Sequence, residues 1–227
     1  MVAMDPPPRL PRPSVDTLLA RVHRYYTRES QSSGLEYHET DEARRLMSLQ
    51  QAAAGSCQWD FYELEDEWRV PIEPELEPVV RALHAWKPFA ERWEKEFPGI
   101  LLRDVSFPCS NVGYRYSALQ PGHVRPSDEW GDPVMLAVSV LAPVYVIYTR
   151  DPDESDDWPQ IRYSGFHERY RERVTALSSL TEEMFGFHRL DEDTVHTPVP
   201  GLSLPGGNTL PDEVTLMDCL FTPFPFG

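Results

Sequence analysis

Val134-Met135-Leu136-Ala137-Val138-Ser139-Val140-Leu141-Ala142-Pro143-Val144-Tyr145-Val146-Ile147-Tyr148-Thr149 is the stretch that decides the fold. Valine, isoleucine and tyrosine dominate it, and branched or aromatic side chains suit the pleated surface of a strand. Pro143 cannot donate to a sheet ladder, so the stretch reads as two strands, 134–140 and 144–149. Residues 135–141 are nearly all apolar, which places that strand at the centre of a sheet with both faces covered. The run is about 15 residues long and broken by Ser139 and Pro143, short of the ~20 residues a membrane helix needs. A chain without a membrane span is expected.

Working outward, 100–107 and 112–116 repeat the short, branched pattern, so four strands are expected in a mostly antiparallel sheet. Val112, Tyr114 and Tyr116 alternate with Gly113 and Arg115, the mark of a strand with one wet face. Helical periodicity lies on either side. Ser14 offers an N-cap for a helix over 15–28, whose Leu18, Leu19, Val22, Tyr25 and Tyr26 form one apolar stripe. Thr40 can cap a second helix carrying Ala43, Leu46, Met47 and Ala53, ended by Gly55. Val79, Leu83, Trp86, Ala90, Trp93 and Phe97 form the stripe of a third, with Pro88 predicting a kink and Pro98-Gly99 a stop. Residues 166–185 carry a fourth stripe, closed by Gly186, and beyond it the chain is an irregular proline-rich tail in which 214–221 could form a short helix or strand.

These elements make an α+β fold: a mostly antiparallel sheet of about four strands packed with three to four helices. Neither half of the chain holds a complete set of elements, so 14–227 reads as a single domain. The prolines at 6, 7, 8, 11 and 13 forbid a helix in residues 1–13, which read as an extended arm. At 227 residues the chain can bury a core without disulfides or metal, and its three cysteines, Cys57, Cys109 and Cys219, match no disulfide framework and no zinc spacing. Residues 1–13 lack the apolar run of a signal peptide, so the expected location is the cytoplasm. Only Lys87 and Lys95 of the 21 basic residues are lysine, a bias that goes with a GC-rich, bacterial source.

The charge narrows the function. Twenty-one basic and 37 acidic residues leave −16, which argues against binding nucleic acid or an anionic membrane, since both need a basic face. Eight acids and one arginine fall in 60–77, and five acids with no base in 151–157. Within the first run Trp59, Phe61, Tyr62 and Trp68 interleave with Asp60, Glu63, Glu65, Asp66 and Glu67. Charge runs are most often simply solvated, but aromatics surrounded by like charge are the make-up of a binding hot spot with an electrostatic rim. Trp59, Asp60, Tyr62, Glu63, Glu65, Asp66, Glu67 and Trp68 are therefore the candidate partner-binding residues.

No catalytic signature accompanies them. The seven histidines have no metal-binding helical spacing, so each reads as a surface or packed residue, and no metal or other cofactor is expected. Residues 151–162 resemble a calcium loop only in their acids, because Asp156 stands where the glycine belongs and Arg162 where the bidentate glutamate belongs. Gly201-Leu202-Ser203-Leu204-Pro205 misses the second glycine of a nucleophile elbow, and no phosphate-cradling glycine loop is present.

The segment 136–148, which follows helices and precedes a helix and a proline-rich end, resembles the sheet of small acidic α+β immunity proteins of bacterial polymorphic toxin systems. The resemblance implies a cytosolic, non-catalytic protein that binds a cognate toxin domain and blocks it. A toxin acting on nucleic acid has a basic cleft, toward which an acidic inhibitor is steered. Two alternatives stand beside it. One is a hydrolase or transferase with a dispersed site around His123, Asp128 and Glu129, and the other is an accessory protein of a larger assembly held through the apolar end 220–226.

Overall fold

The computed structural model describes residues 8–26, 41–54, 69–104, 113–119, 134–150, 161–202, 204 and 213–221. Four principal strands form an antiparallel meander: β1 (Leu101–Asp104), β2 (Gly113–Leu119), β3 (Val134–Ser139) and β4 (Val144–Arg150). β3 is central and buried along its whole length, as the apolar run requires. Tyr145 and Tyr148 show why β4 is apolar on both sides. The Tyr145 hydroxyl meets Ser178 Oγ of helix α5 (Glu168–Phe185) at 2.8 Å, whereas the Tyr148 ring, on the opposite face, lies 5.9 Å from Tyr163. The fold is α+β with a mostly antiparallel sheet.

Two further strands, β5 (Ile161–Arg162) and β6 (His188–Arg189), share the outer edge of β4. β5 runs antiparallel against Thr149 and Arg150, and β6 parallel against Val144 and Tyr145. Each is only two residues long. A period-2 pattern cannot be recognised over so few positions, which is why the sheet has six strands where about four were expected.

Helix α1 (Val15–Tyr25) begins at Ser14, whose Oγ accepts the Thr17 amide at 3.2 Å, and helix α2 spans Asp41–Ala54. The single kinked helix expected over 79–97 is instead two, α3 (Glu77–Leu83) and α4 (Trp86–Glu96). A continuous helix would need residue 88 to donate to the His84 carbonyl, which a proline cannot do. Breaking at His84 and Ala85 puts Pro88 in the first turn of α4, where an amide has no intrahelical acceptor anyway. The stripe residues Val79, Leu83 and Trp93 are buried, together with Phe89, and Trp86 stacks on Phe185 with ring centroids 5.7 Å apart. That stripe is core.

Gly186 closes α5 in the left-handed conformation, φ 68°, and donates to the Glu182 carbonyl. Residues 8–10 lie against this helix end: Leu10 N donates to Gly186 O at 3.2 Å, His188 Nε2 donates to Leu10 O at 2.6 Å, and Arg9 pairs with Glu182 at 3.2 Å. The C-terminal part folds back as well. After β6 and the short helix α6 (Glu192–Val195), Val199 N bonds Val214 O at 2.8 Å and Leu216 N bonds Thr197 O at 3.0 Å, leading into α7 (Leu216–Leu220). Leu216, Leu220 and Phe221 are fully buried, so residues 214–221 dock on the domain. Phe224 and Phe226 lie outside the described residues.

Candidate functional site

The end of α1, the middle of α2 and the chain at 70–73 enclose a cleft of about 390 Å³. Arg24 and Tyr25 come from the last turn of α1, where the helix stripe turns Tyr25 inward and Arg24 outward. Arg45 and Leu49 stand one turn apart on α2 and so share a face. Ile72 and Glu73 come from an extended segment held to α2 by the Val70 amide, which donates to Ser48 Oγ at 3.0 Å.

The charges in the cleft largely pair with one another. Arg24 lies 3.1 Å from Glu73 and also contacts Glu75. The Glu75 carboxyl is held below its usual range first by its own backbone amide and then by Arg24. Burial pushes the Tyr25 hydroxyl up to about 12, and the Glu73 carboxylate, which takes its hydrogen bond, pushes the same way. At neutral pH Tyr25 is therefore a hydrogen-bond donor and not a base. Arg45 is exposed.

A second concavity of about 540 Å³ lies where Phe97, past the end of α4, meets Glu168, Arg171 and Thr175 of α5. It is open, and its arginine already pairs with Glu168 at 2.6 Å. Elsewhere, the buried polar groups serve the fold. Tyr145 meets both Ser178 and, at 3.1 Å, Glu182; desolvation raises its pKa, with further contributions from Glu182. Arg189 donates to the Tyr163 carbonyl at 3.1 Å, and burial lowers its pKa. Among the described residues no three of His, Cys, Asp and Glu are grouped as a metal site, and no helix is long and apolar enough to cross a membrane.

The candidate partner-binding residues Trp59, Asp60, Tyr62, Glu63, Glu65, Asp66, Glu67 and Trp68 lie outside the described residues, as do His123, Asp128, Glu129, Ser203 and the acids of 151–157. Leu202 and Leu204, flanking Ser203, are buried. The cleft adjoins the first group in the chain, since Val70 stands two residues after Trp68. The acidic run 60–77 is not uniform, because Glu73 and Glu75 are engaged with Arg24. Sequence reading missed Arg24, Tyr25 and Arg45. The one available signal was that Arg69 and Pro71 separate Glu73 and Glu75 from the dense part of the run.

Nineteen of the 21 Lys and Arg and 19 of the 37 Asp and Glu fall among the described residues, which are therefore neutral together. Segments 27–40 and 55–68, which join α1 to α2 and α2 to Arg69, hold eight acids and Arg28. Segments 120–133 and 151–160 hold eight acids and Arg125. These two join one end of the sheet, where Ala118, Val134, Thr149 and Arg162 stand in a row across β2 to β5.

No family model matches the chain, and neither a curated protein nor a solved structure matches it.

Proposed function

We propose that the chain is a non-catalytic cytoplasmic binding protein that captures a basic protein surface, acting as an immunity-type inhibitor of a cognate bacterial toxin domain. The observation that supports the reading is the acidic run 60–77, eight acids against one arginine, with aromatics interleaved in its first part. Of the chain's net −16, segments 27–40, 55–68, 120–133 and 151–160 carry −14, sixteen acids against Arg28 and Arg125. A single-sign field steers an oppositely charged partner. Trp59, Tyr62 and Trp68 supply the apolar anchors, and Asp60, Glu63, Glu65, Asp66 and Glu67 the charged rim.

Neither alternative gains support. The assembly reading depended on an apolar end left free, yet Leu220 and Phe221 are used in the chain's own core. The enzyme reading depended on His123, Asp128 and Glu129, which lie outside the described residues.

The test is capture of the partner from native lysate, its identification by mass spectrometry, and stopped-flow association at several salt concentrations. For a variant with Glu63, Glu65, Asp66 and Glu67 all changed to lysine, association should slow by about tenfold or more at low salt and lose most of its salt dependence. A partner that associates with both forms at the same rate would show that this surface is not the contact.

A further inference from the structure

We infer that the end of α5 and the start of β6 form a recognition site for an extended segment of a partner protein, one in which an arginine precedes a leucine-sized side chain. Residues 8–13, Pro-Arg-Leu-Pro-Arg-Pro, are a detachable strap that occupies this site in cis. None of residues 59–68 takes part, so the site stands apart from the inhibitor reading.

The site reads a chain as an exposed sheet edge does, through both backbone groups of one residue. Leu10 N donates to Gly186 O at 3.2 Å, and Leu10 O accepts from His188 Nε2 at 2.6 Å. The preceding residue is read by charge, Arg9 meeting Glu182 Oε2 at 3.2 Å, while the half-buried Leu10 side chain packs against the core. The approach is close. A Cβ at Gly186 would stand 3.0 Å from Pro8 O and 3.4 Å from Leu10 N, so the strap lies in room that only a glycine leaves. Farther along, Arg12 adds to the field that holds the Asp191 carboxyl below its usual range, behind the larger effect of Thr194.

The strap is a ligand of this site and not a part that builds it. Gly186 owes its conformation to the end of α5, where its amide donates to the Glu182 carbonyl, and His188 is held in β6 by its amide bond to Pro143 O at 2.9 Å. Tyr145 donates from beneath to Glu182 Oε1 at 3.1 Å, and the other carboxylate oxygen is the one that meets the guanidinium. The receptor groups are thus set by other elements. The strap itself is lightly held. Pro8, Arg9, Pro11 and Arg12 are exposed, and the ion pair is 65% exposed at Arg9 and 40% at Glu182, where solvent screens it. Helix α1 starts from its own cap, Ser14 Oγ to the Thr17 amide, so the strap can leave without unwinding it. Pro11 and Pro13 keep the segment extended whether docked or free, and a competing proline-flanked segment gives up equally little conformational freedom on entering.

The test uses the full-length chain, with the end-capped peptide Pro-Arg-Leu-Pro-Arg-Pro as the probe. Arg9→Glu and Leu10→Ser together should free the site while leaving every receptor group in place. In that double variant the amide NMR shifts of Gly186 and His188 should saturate with peptide. In the parent the apparent affinity should be about tenfold or more weaker, because the strap competes in cis. Adding Glu182→Gln to the double variant should weaken the peptide about tenfold, since the charge-assisted bond is lost. A peptide with its first arginine replaced by glutamate should give no saturable shift. Hydrogen exchange of the Leu10 amide in the parent should be at least about a hundredfold faster than that of the Leu190 amide, which bonds Tyr145 O in the sheet. No saturation up to tens of millimolar, equal affinity for parent and double variant, indifference to Glu182→Gln, or a Leu10 amide as protected as that of Leu190 would each overturn the inference.

Discussion

The hydroxyl of Tyr26, one residue past α1, donates to the backbone carbonyl of Cys219 in α7 at 2.9 Å, in the buried interior. It ties the first helix to the last across 193 residues of chain. The bond explains why an irregular, proline-rich segment has a fixed end. Asp218 reinforces it by accepting both the amide and the hydroxyl of Thr215 at 2.7 Å, which starts α7 where α1 can receive it.

Removing residues 212–227 should therefore destabilise the isolated protein. Leu216, Leu220 and Phe221 are fully buried, and burying three such side chains contributes roughly 5 to 9 kcal/mol before ordering costs. The chain ending at Pro211 is expected to lose several kcal/mol in urea unfolding, and Tyr26→Phe about 1 kcal/mol. A truncated chain with the unfolding midpoint of the full one would contradict the docking of the tail.

Gly186 is constrained twice, by its φ of 68° and by residues 8–10. A Cβ there would stand 3.0 Å from the Pro8 carbonyl oxygen and 3.2 Å from Arg9 Cα, both backbone atoms that cannot swing aside. Gly165, at φ 59°, has nothing within 4 Å. Gly165→Ala should cost about 1 kcal/mol, the left-handed conformation alone. Gly186→Ala should cost at least about 1 kcal/mol more and speed hydrogen exchange of the Leu10 amide, which now bonds Gly186 O. Equal costs for the two would mean that the arm does not press on the helix end.

The tyrosines set the alkaline limit. Burial and Glu73 raise the folded pKa of Tyr25 to about 12, above the unfolded value near 10, and burial raises Tyr145 and Tyr163 further. A folded pKa above the unfolded one gives a contribution that is complete below pH ~10 and is lost as pH rises through the folded pKa. Unfolding free energy should fall between pH 10 and 12, with Tyr25→Phe reducing the slope by about one proton. Titration at 295 nm that ionised all ten tyrosines together near pH 10 in the folded state would refute this.

Arg92 bridges α4 to α5, with Glu96 at 2.7 Å and Glu183 at 2.5 Å. Its side chain is 40% exposed, and that of Glu183 51%. Exposed pairs are screened and hold long side chains at an entropic cost, so Arg92→Met should change stability by less than about 1 kcal/mol. Arg92 holds the Glu183 carboxyl below its usual range. A depressed carboxylate stabilises above its unfolded pKa, so even this small effect should vanish as pH falls through the folded pKa. A loss of 2 kcal/mol or more, read from urea unfolding at pH 7, would mean that the bridge matters to the packing beneath it.

What the amino-acid sequence by itself determined is the α+β class, the central position of 134–139, the helices at 15, 41 and 168 and the stop at Gly186. These follow from side-chain period and from the backbone limits of proline and glycine, which are properties of neighbouring residues. The acidic character of 60–77 was equally plain. Its division was not: Glu73 and Glu75 meet Arg24, some fifty positions earlier, only because α1 and the 70–73 segment pack side by side. The two-residue strands β5 and β6 exist only because β4 offers them an edge, and too few residues take part to leave a period in the sequence. The break at His84 and Ala85, the docking of residues 8–10 on Gly186 and the bond from Tyr26 to Cys219 belong to the same kind. Each joins groups whose approach is decided by the burial of the whole core, and a local pattern carries no record of a partner that far along the chain.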